Sequence, residues 1–398
     1  MSKNLFNKIF LFMVIGFLII IAPREINAPS QSVINAICTG IAIDKEENLN
    51  LTAQILLSQA GGQYTQSMTV VTSQGDDLME AFRRLEAYVG KKVNLSHCFY
   101  IIIGEEFSKT NLASSLDYLM RGSNGGTNTF LIQAKGKASD MLNMAASANS
   151  SGIDSIQTLL KYNDRYLSSS EANLKSFYND YLSPHKTSFV TLLDTFPQDE
   201  SSSGQSGQNE GNGGNSVIKE KIKNDGSCAV FYKGALATIL TPQERSYFDW
   251  FDNKLSNSIV EIKNVNDKTF TNATLGYTII NKGIKYNLAF VGNKPCIYIS
   301  YDLKLKPEMF LTGDGEVLQN SAFISAEIER AFQQKISLEI DKAMQIQKEY
   351  GFDVFNFYKM FNIRLHTEWQ DYLESLNNPE DYIKGIEVYC NVKCSSKV

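Results

Sequence analysis

The sequence predicts an α+β, multi-domain protein in which mixed β-sheets are each packed with α-helices. Three observations point to it. In the first half, short β-branched or alternating runs take turns with amphipathic helices, the order that builds helix-covered sheets. In the second half, several strand patterns follow one another before a single long helix. Between the halves, residues 201–216 read SSSGQSGQNEGNGGNS and contain no apolar residue. Such a stretch cannot bury enough surface to offset the entropy of ordering, so it is expected to act as a flexible linker.

Residues 33–43, VINAICTGIAI, form the first expected strand, closed by the polar turn Asp44-Lys45-Glu46-Glu47-Asn48. Leu49, Leu51, Ala53, Ile55 and Leu57 then recur at period two, which predicts a second strand hairpinned to the first and ended at Gly61-Gly62. Residues 68–72 read as a third strand. Leu78, Ala81, Phe82, Leu85 and Val89 share one helical face that stops at Gly90, with Asp76 as expected N-cap and Asp77 favouring the positive end. The apolar run 98–104 predicts a buried central strand. A helix over 111–120, a strand over 130–134 and a helix from Ala138 follow, then less patterned sequence with a helical stretch at 153–160.

Beyond the linker, 228–232 and 235–240 flank Lys233-Gly234 as strand, turn and strand, and Thr241-Pro242 opens a helix with proline at its first position. Residues 258–262, 278–280, 286–291 and 296–305 are further strands, the last with Ile297, Ile299, Tyr301, Leu303 and Leu305 on one face. A helix over 322–350 is expected to bury Ile328, Phe332, Ile336, Ile340, Ala343 and Ile346. Residues 386–392 form a closing strand. The divisions expected are 1–28, 29–196 (two subdomains being one option), a linker over 197–217, and 218–398.

Residues 9–22, IFLFMVIGFLIIIA, are apolar without interruption and follow Lys3 and Lys8. A membrane-spanning helix needs about 20 apolar residues. The run fits either a secretory signal or, if Lys8 snorkels, a span. Pro23 follows Ala22 and Pro29 follows Ala28, which disfavours both small-residue cleavage sites. A retained signal-anchor is the expected reading, with a cleaved signal peptide as the alternative.

Composition narrows the function. Hydrophobic content of 43% and charged content of 20% fit a globular chain, and a net charge of −5 argues against a nucleic-acid partner. The six cysteines form no CxxC pair, and Cys390 and Cys394 have no histidine near them, so zinc is not expected and the thiols read as small buried apolar groups. The three histidines, His97, His185 and His366, leave little scope for histidine catalysis. No GxSxG, Walker A or GxGxxG motif occurs. Glu105-Glu106, at the mouth of the central strand, is the most conspicuous polar pair and is expected to be solvated first-turn carboxylates. Glu327, Glu329 and Arg330 read as a solvated helix face. No catalytic, cofactor, metal or lipidation residue is assigned.

Short motifs are spread along the chain. The opening strand ends in an aspartate, Asp44; Gly75 precedes Leu78, Glu80 and Ala81; and Lys92, Leu95 and His97 lead into Ile101-Ile102-Ile103-Gly104-Glu105-Glu106, the most specific segment. Leu116-Asp117 with Leu119 and Arg121, then Ala134-Lys135-Gly136-Lys137-Ala138, continue the pattern. Ala229-Val230-Phe231 with Leu240-Thr241-Pro242-Gln243-Glu244 comes next, and Gln347-Lys348-Glu349-Tyr350, Asp353-Val354-Phe355 and Trp369 follow in order. Taken in this order the motifs resemble the C-subunit family of bacterial spore germination receptors, the segment from Ala229 resembling the opening of its C-terminal domain. Two departures stand out: residues 9–32 lack the cysteine that relatives lipidate, and Phe357-Tyr358 stands where relatives carry a glycine.

The resemblance implies a three-domain α+β architecture and a non-enzymatic receptor subunit without cofactor. It implies a place on the outer, extracytoplasmic face of the spore inner membrane, tethered here by the apolar run, with two polytopic membrane subunits as partners and a role in nutrient-triggered germination. The alternative is a membrane-tethered small-molecule-binding protein serving a transporter.

Overall fold

The computed structural model describes residues 35–58, 66–121, 126, 128–148, 156, 159–160, 172–197, 220–251, 258–267, 270–312 and 324–396. The apolar run at 9–22, Gly61-Gly62, most of 153–160 and the 201–216 stretch lie outside the described residues. Among the described residues the strands form one ten-stranded and one four-stranded sheet, and helices pack on both. The architecture is multi-domain α+β, as the sequence predicts.

The first sheet grows outward from β1 (Asn35–Lys45). On one side β1 pairs antiparallel with β2 (Leu49–Ser58), and β2 with β3 (Gln66–Gly75). On the other it runs parallel to β4 (Lys92–Asn94) and to β5 (Tyr100–Ile103), and the parallel set continues through β6 (Phe130–Ala134) to β7 (Thr187–Pro197). All four residues of β5 are buried, because helices cover both faces. Ile41, Ile43, Ile101 and Ile103 point into a core made with α1 (Leu78–Val89), α3 (Leu112–Arg121) and α5 (Leu174–Leu182). Ala42, Tyr100 and Ile102 point the other way, onto α4 (Ala138–Ala148). A short α2 (Glu105–Ser108) follows β5.

The cap of α1 sits one residue later than the sequence suggests. Asp77 accepts the Glu80 N–H at 2.7 Å, while the Glu80 carboxylate returns to the Asp76 N–H at 2.9 Å. Two acidic neighbours compete for the cap, and Glu80 can reach back only if Asp77 holds it. Gly90, at φ 68°, closes the helix.

The first sheet draws strands from both sides of the 197–217 stretch. β7 pairs antiparallel with β8 (Glu220–Lys223) and with β9 (Cys228–Tyr232), and β9 with β10 (Ala235–Leu240). The β9–β10 turn is Lys233-Gly234, with φ 54° and 84°, the two left-handed residues of a tight hairpin turn. Thr241 then caps α6 (Pro242–Phe248) in a capping box with Glu244.

The second sheet runs β11 (Ile259–Asp267), β12 (Phe270–Val291), β13 (Lys294–Leu311) and β14 (Glu387–Ser396), the last parallel to β13. The expected separate strands at 278–280 and 286–291 are one continuous β12. The polar residues between them misled the pattern because the register slips between Ile279 and Asn281. Before that bulge the odd positions Leu275, Tyr277 and Ile279 face the core; after it the even positions Ile284, Tyr286 and Leu288 do. Lys282 falls on an inward position, where its ammonium donates to Asp249 O at 2.8 Å and lies over the Trp250 and Tyr301 rings.

One face of this sheet packs on α7 (Ala326–Tyr350), α8 (Phe357–Arg364) and α9 (His366–Ser375). On α7, Met344 and Gln347 are buried and Ile346 is only partly so. This core also takes in Val230 and Leu240, with Phe189 packed against it, so the two sheets are joined by shared apolar contact. Phe189, Phe248 and Phe355 form an aromatic chain across the join, at centroid distances of 5.4 and 5.8 Å.

Candidate functional site

In open sheets with parallel strands, ligands commonly bind beyond the carboxyl ends of the strands. That edge carries the segment singled out in the sequence, so its geometry decides whether Glu105-Glu106 is free to act. Asp44, at the end of β1, is 6% exposed. Its Oδ1 accepts the Ala138 N–H at 2.7 Å and its Oδ2 the Ser139 N–H at 2.9 Å. A carboxylate from a distant strand thus fills the anion position at the start of α4. A Cβ on Gly104 would overlap Asp44 Oδ1, which accounts for glycine there.

Glu105 belongs to the same closure. Its N–H donates to Gly136 O at 2.9 Å, and its carboxylate accepts the Gly136 N–H at 3.3 Å. Glu106 is solvated and pairs with Lys109 at 2.6 Å. Around them run exposed ion pairs, Lys137 with Glu46 at 2.7 Å and Lys135 with Asp194 at 3.2 Å. Burial works against ionising Asp194, but the Thr195 N–H and the Lys135 and Lys223 ammoniums outweigh it and hold the carboxyl below its ordinary range. The edge is filled by its own chain.

A second polar cluster lies where the two sheets meet. Asp353 is 1% exposed and follows the α7 cap Gly351. Its carboxylate accepts the Phe357 N–H at 3.0 Å, the Tyr358 N–H at 2.9 Å and the Tyr382 hydroxyl at 2.9 Å. Its own N–H donates to Thr187 Oγ1 at 3.2 Å, and that hydroxyl donates to His185 O at 2.6 Å. Burial raises the Asp353 carboxyl above its ordinary value, although all three donors and nearby His185 favour the anion. Beyond Asp353, Lys233 and Lys186 pair with Glu380 at the surface.

The missing family glycine has a local explanation. Asn356 takes the left-handed conformation, φ 56°, and caps α8. Phe357 and Tyr358 are helical, and Tyr358 packs edge-on against Trp369 and Tyr382.

The remaining residues flagged from sequence are dispersed. His97 and His366 are exposed, and His185 is buried against Ser183 and Asp180. Glu327 lies 3.9 Å from Arg330 as an exposed pair. Glu329 departs from the expected solvated face: its Oε2 accepts the Cys394 N–H at 2.9 Å, so it supports β14. Cys38, Cys98, Cys228 and Cys296 are buried thiols. Among the described residues no His/Cys/Asp/Glu group is placed to hold a metal, and no helix is long and apolar enough to cross a membrane. Asp353 entered the sequence reading only within the motif Asp353-Val354-Phe355, with no role attached. A lone aspartate in the apolar run Phe352-Asp353-Val354-Phe355 was the available signal.

Comparison with known proteins follows the same division. Residues 35–195 match the family model described as spore germination protein N-terminal domain, and 226–396 that of spore germination B3/GerAC like, C-terminal. Over 112 residues the chain is 29% identical to the putative spore germination protein YfkR of Bacillus subtilis (strain 168), covering 26% of this chain and 29% of that relative. The aligned part is thus under a third of that protein's length. The crystal structure of the GerBC protein superposes with a TM-score of 0.51 at 14% identity, over 90% of this chain and 96% of that one. At that identity the likeness is one of fold.

Proposed function

The chain belongs to the GerAC-like family of spore germination proteins, and from this membership we propose that it is a non-enzymatic C subunit of a germinant receptor complex. The observation that carries the reading is the match of both family regions, in order, along most of the chain. In this reading the protein sits on the extracytoplasmic face of the spore inner membrane, held by the apolar run at 9–22. It assembles there with two polytopic membrane subunits, and residues 197–217 connect the regions 29–196 and 218–398.

Two structural features support a binding rather than a catalytic role. The carboxylates best placed for chemistry, Asp44, Glu105 and Asp353, hold backbone N–H groups. The shared core and the Asp353–Thr187 bond tie both sheets together, which suits a subunit that presents surfaces to partners.

The test is an in-frame deletion in a spore former. Spores without the gene should lose the response to at least one nutrient, with vegetative growth unchanged and the response restored by complementation. Normal germination on every nutrient, in a strain lacking paralogous receptors, would overturn the reading. Mass spectrometry of the mature N-terminus tests the tether separately: a start at Pro29 would mean that the run is removed.

A further inference from the structure

The first sheet is polarised along its strands. β4, β5, β6 and β7 run parallel to β1, and β3 shares their direction through two antiparallel pairings. All of them begin at one edge and end at the other. The turns that leave β1, β3 and β5, residues 44–47, 76–77 and 105–106, hold seven carboxylates and one lysine. Lys135 and Lys137, after β6, pair there with Asp194 and Glu46. The described residues that lead into β4, β5, β6 and β7 are 90–92, 95–99, 126, 128–129 and 183–186. They contain no carboxylate and include Lys91, Lys92 and Lys186.

Two of these lysines are open to an outside anion. Lys186 lies 3.6 Å from Glu380, whereas the ammoniums of Lys91 and Lys92 make no ion pair or hydrogen bond among the described residues. Glu86, the carboxylate one turn before them on α1, accepts the Val93 N–H at 3.0 Å. The same edge exposes Tyr88 (66%) at the end of α1, Phe99 (39%) before β5 and Leu182 (66%) at the end of α5. Met79 and Phe196 are exposed toward the opposite edge, so charge, more than apolar area, separates the two ends.

The chain itself brings the carboxylate-free edge to a bilayer. The apolar run ends at Ala22, and β1 begins at Asn35, which lies beside Lys92 in the parallel register. The twelve residues between them reach at most about 40 Å when fully extended. Lysines are drawn to an anionic lipid surface, and aromatic side chains settle at the level of the headgroups. The same field repels the carboxylate-rich edge, so the two ends together select one orientation.

We propose that the edge at which β1 begins rests on an anionic bilayer surface, with Lys91 and Lys92 toward lipid phosphates and Tyr88 and Phe99 at the headgroup level. The inference takes its geometry from the reading of residues 9–22 as a retained span.

The experiment reconstitutes the full chain in phosphatidylcholine vesicles, with and without about 30% phosphatidylglycerol, that carry a trace of lipid with a photoreactive headgroup. Adducts mapped by mass spectrometry should concentrate in residues 84–99 on the anionic vesicles and spare 44–47 and 105–109. Lys91→Glu combined with Lys92→Glu should lower the adduct yield by about tenfold or more. The paired Lys→Arg changes should preserve it and report that the fold tolerates substitution there. Lys45→Glu, at the other end of β1, should leave it unchanged. Flotation with the neutral vesicles reports on the span separately. A chain that floats but gives no adducts at 84–99, adducts spread evenly over both edges, or a Glu pair with undiminished yield would each overturn this proposal and leave the span standing. Adducts at 84–99 on anionic vesicles from a chain that does not float with neutral ones would sustain the edge contact and sink the span.

Discussion

The Asp44 carboxylate occupies the space that a side chain at Gly104 would need, and it uses that position to hold the start of α4. Two residues 60 positions apart are thereby one unit. Gly104→Ala should destabilise the protein by about 1–3 kcal/mol through overpacking. Asp44→Ala should cost about 1–3 kcal/mol by leaving the Ala138 and Ser139 N–H groups without their acceptor. The double variant should cost less than the sum, because the first change clears the space for the second. Urea denaturation of the four proteins measures this coupling; strict additivity would mean that the two residues are not in competition.

At the join between the sheets, Asp353 gives a pH signature. Burial raises its folded-state value above the unfolded 3.8. Its contribution to stability is therefore complete below the unfolded value and is lost as pH rises through the folded one. Asp353→Asn has no such titration, and it leaves one of the Phe357 and Tyr358 N–H groups unmet at every pH, a constant cost of about 1–3 kcal/mol. The stability of wild type minus that of the variant should thus fall as pH rises above 3.8. A difference that grows with pH would show the three donors outweighing burial.

Much of this fold was legible because its elements obey one periodicity at a time. The period-two run from Leu49 and the helical face from Leu78 to Leu85 lie where the pattern puts them. β12 was not legible because its bulge switches the inward parity from Ile279 to Lys282, and alternation cannot survive an added residue. Glu329 looked solvated because its partner, the Cys394 N–H, is a backbone group 65 residues away. The Glu105-Glu106 pair was read as first-turn carboxylates and lies at the first turn of α2, but Glu105's hold on Gly136 needed coordinates. Asp353 caps the nearby Phe357 and Tyr358 N–H groups, but its place at the join was hidden because Tyr382 and Thr187 come to it from 29 and 166 residues away.

The left-handed glycines should separate by their surroundings. Gly90 and Gly234 have φ of 68° and 84°, but a Cβ on Gly90 meets nothing within 4 Å, whereas one on Gly234 would stand 2.6 Å from Asn111 Oδ1. Gly90→Ala should cost only the conformational penalty, about 1–2 kcal/mol. Gly234→Ala should add an overpacking term of about 1–3 kcal/mol, because Gly234 O also anchors the Leu112 N–H at 2.8 Å. Chemical denaturation of the two variants gives the comparison, and equal losses would mean that Asn111 moves aside freely.

The open edge of β14 yields the last prediction. An uncovered edge strand is prone to pair with other chains, and α7 guards this one through Gln333 and Glu329. Gln333→Leu keeps the helix and its apolar contacts but removes the partners of Cys390 O and the Val392 N–H, for a loss of about 1–3 kcal/mol. Glu329 still holds Cys394 in that variant. Amide hydrogen exchange should therefore quicken at Val392 and stay slow at Cys394, and association should increase with protein concentration. Uniform acceleration along β14 would mean that the strand depends on the whole helix. No acceleration at Val392 would mean that burial beneath the helix, and not the glutamine, protects that amide.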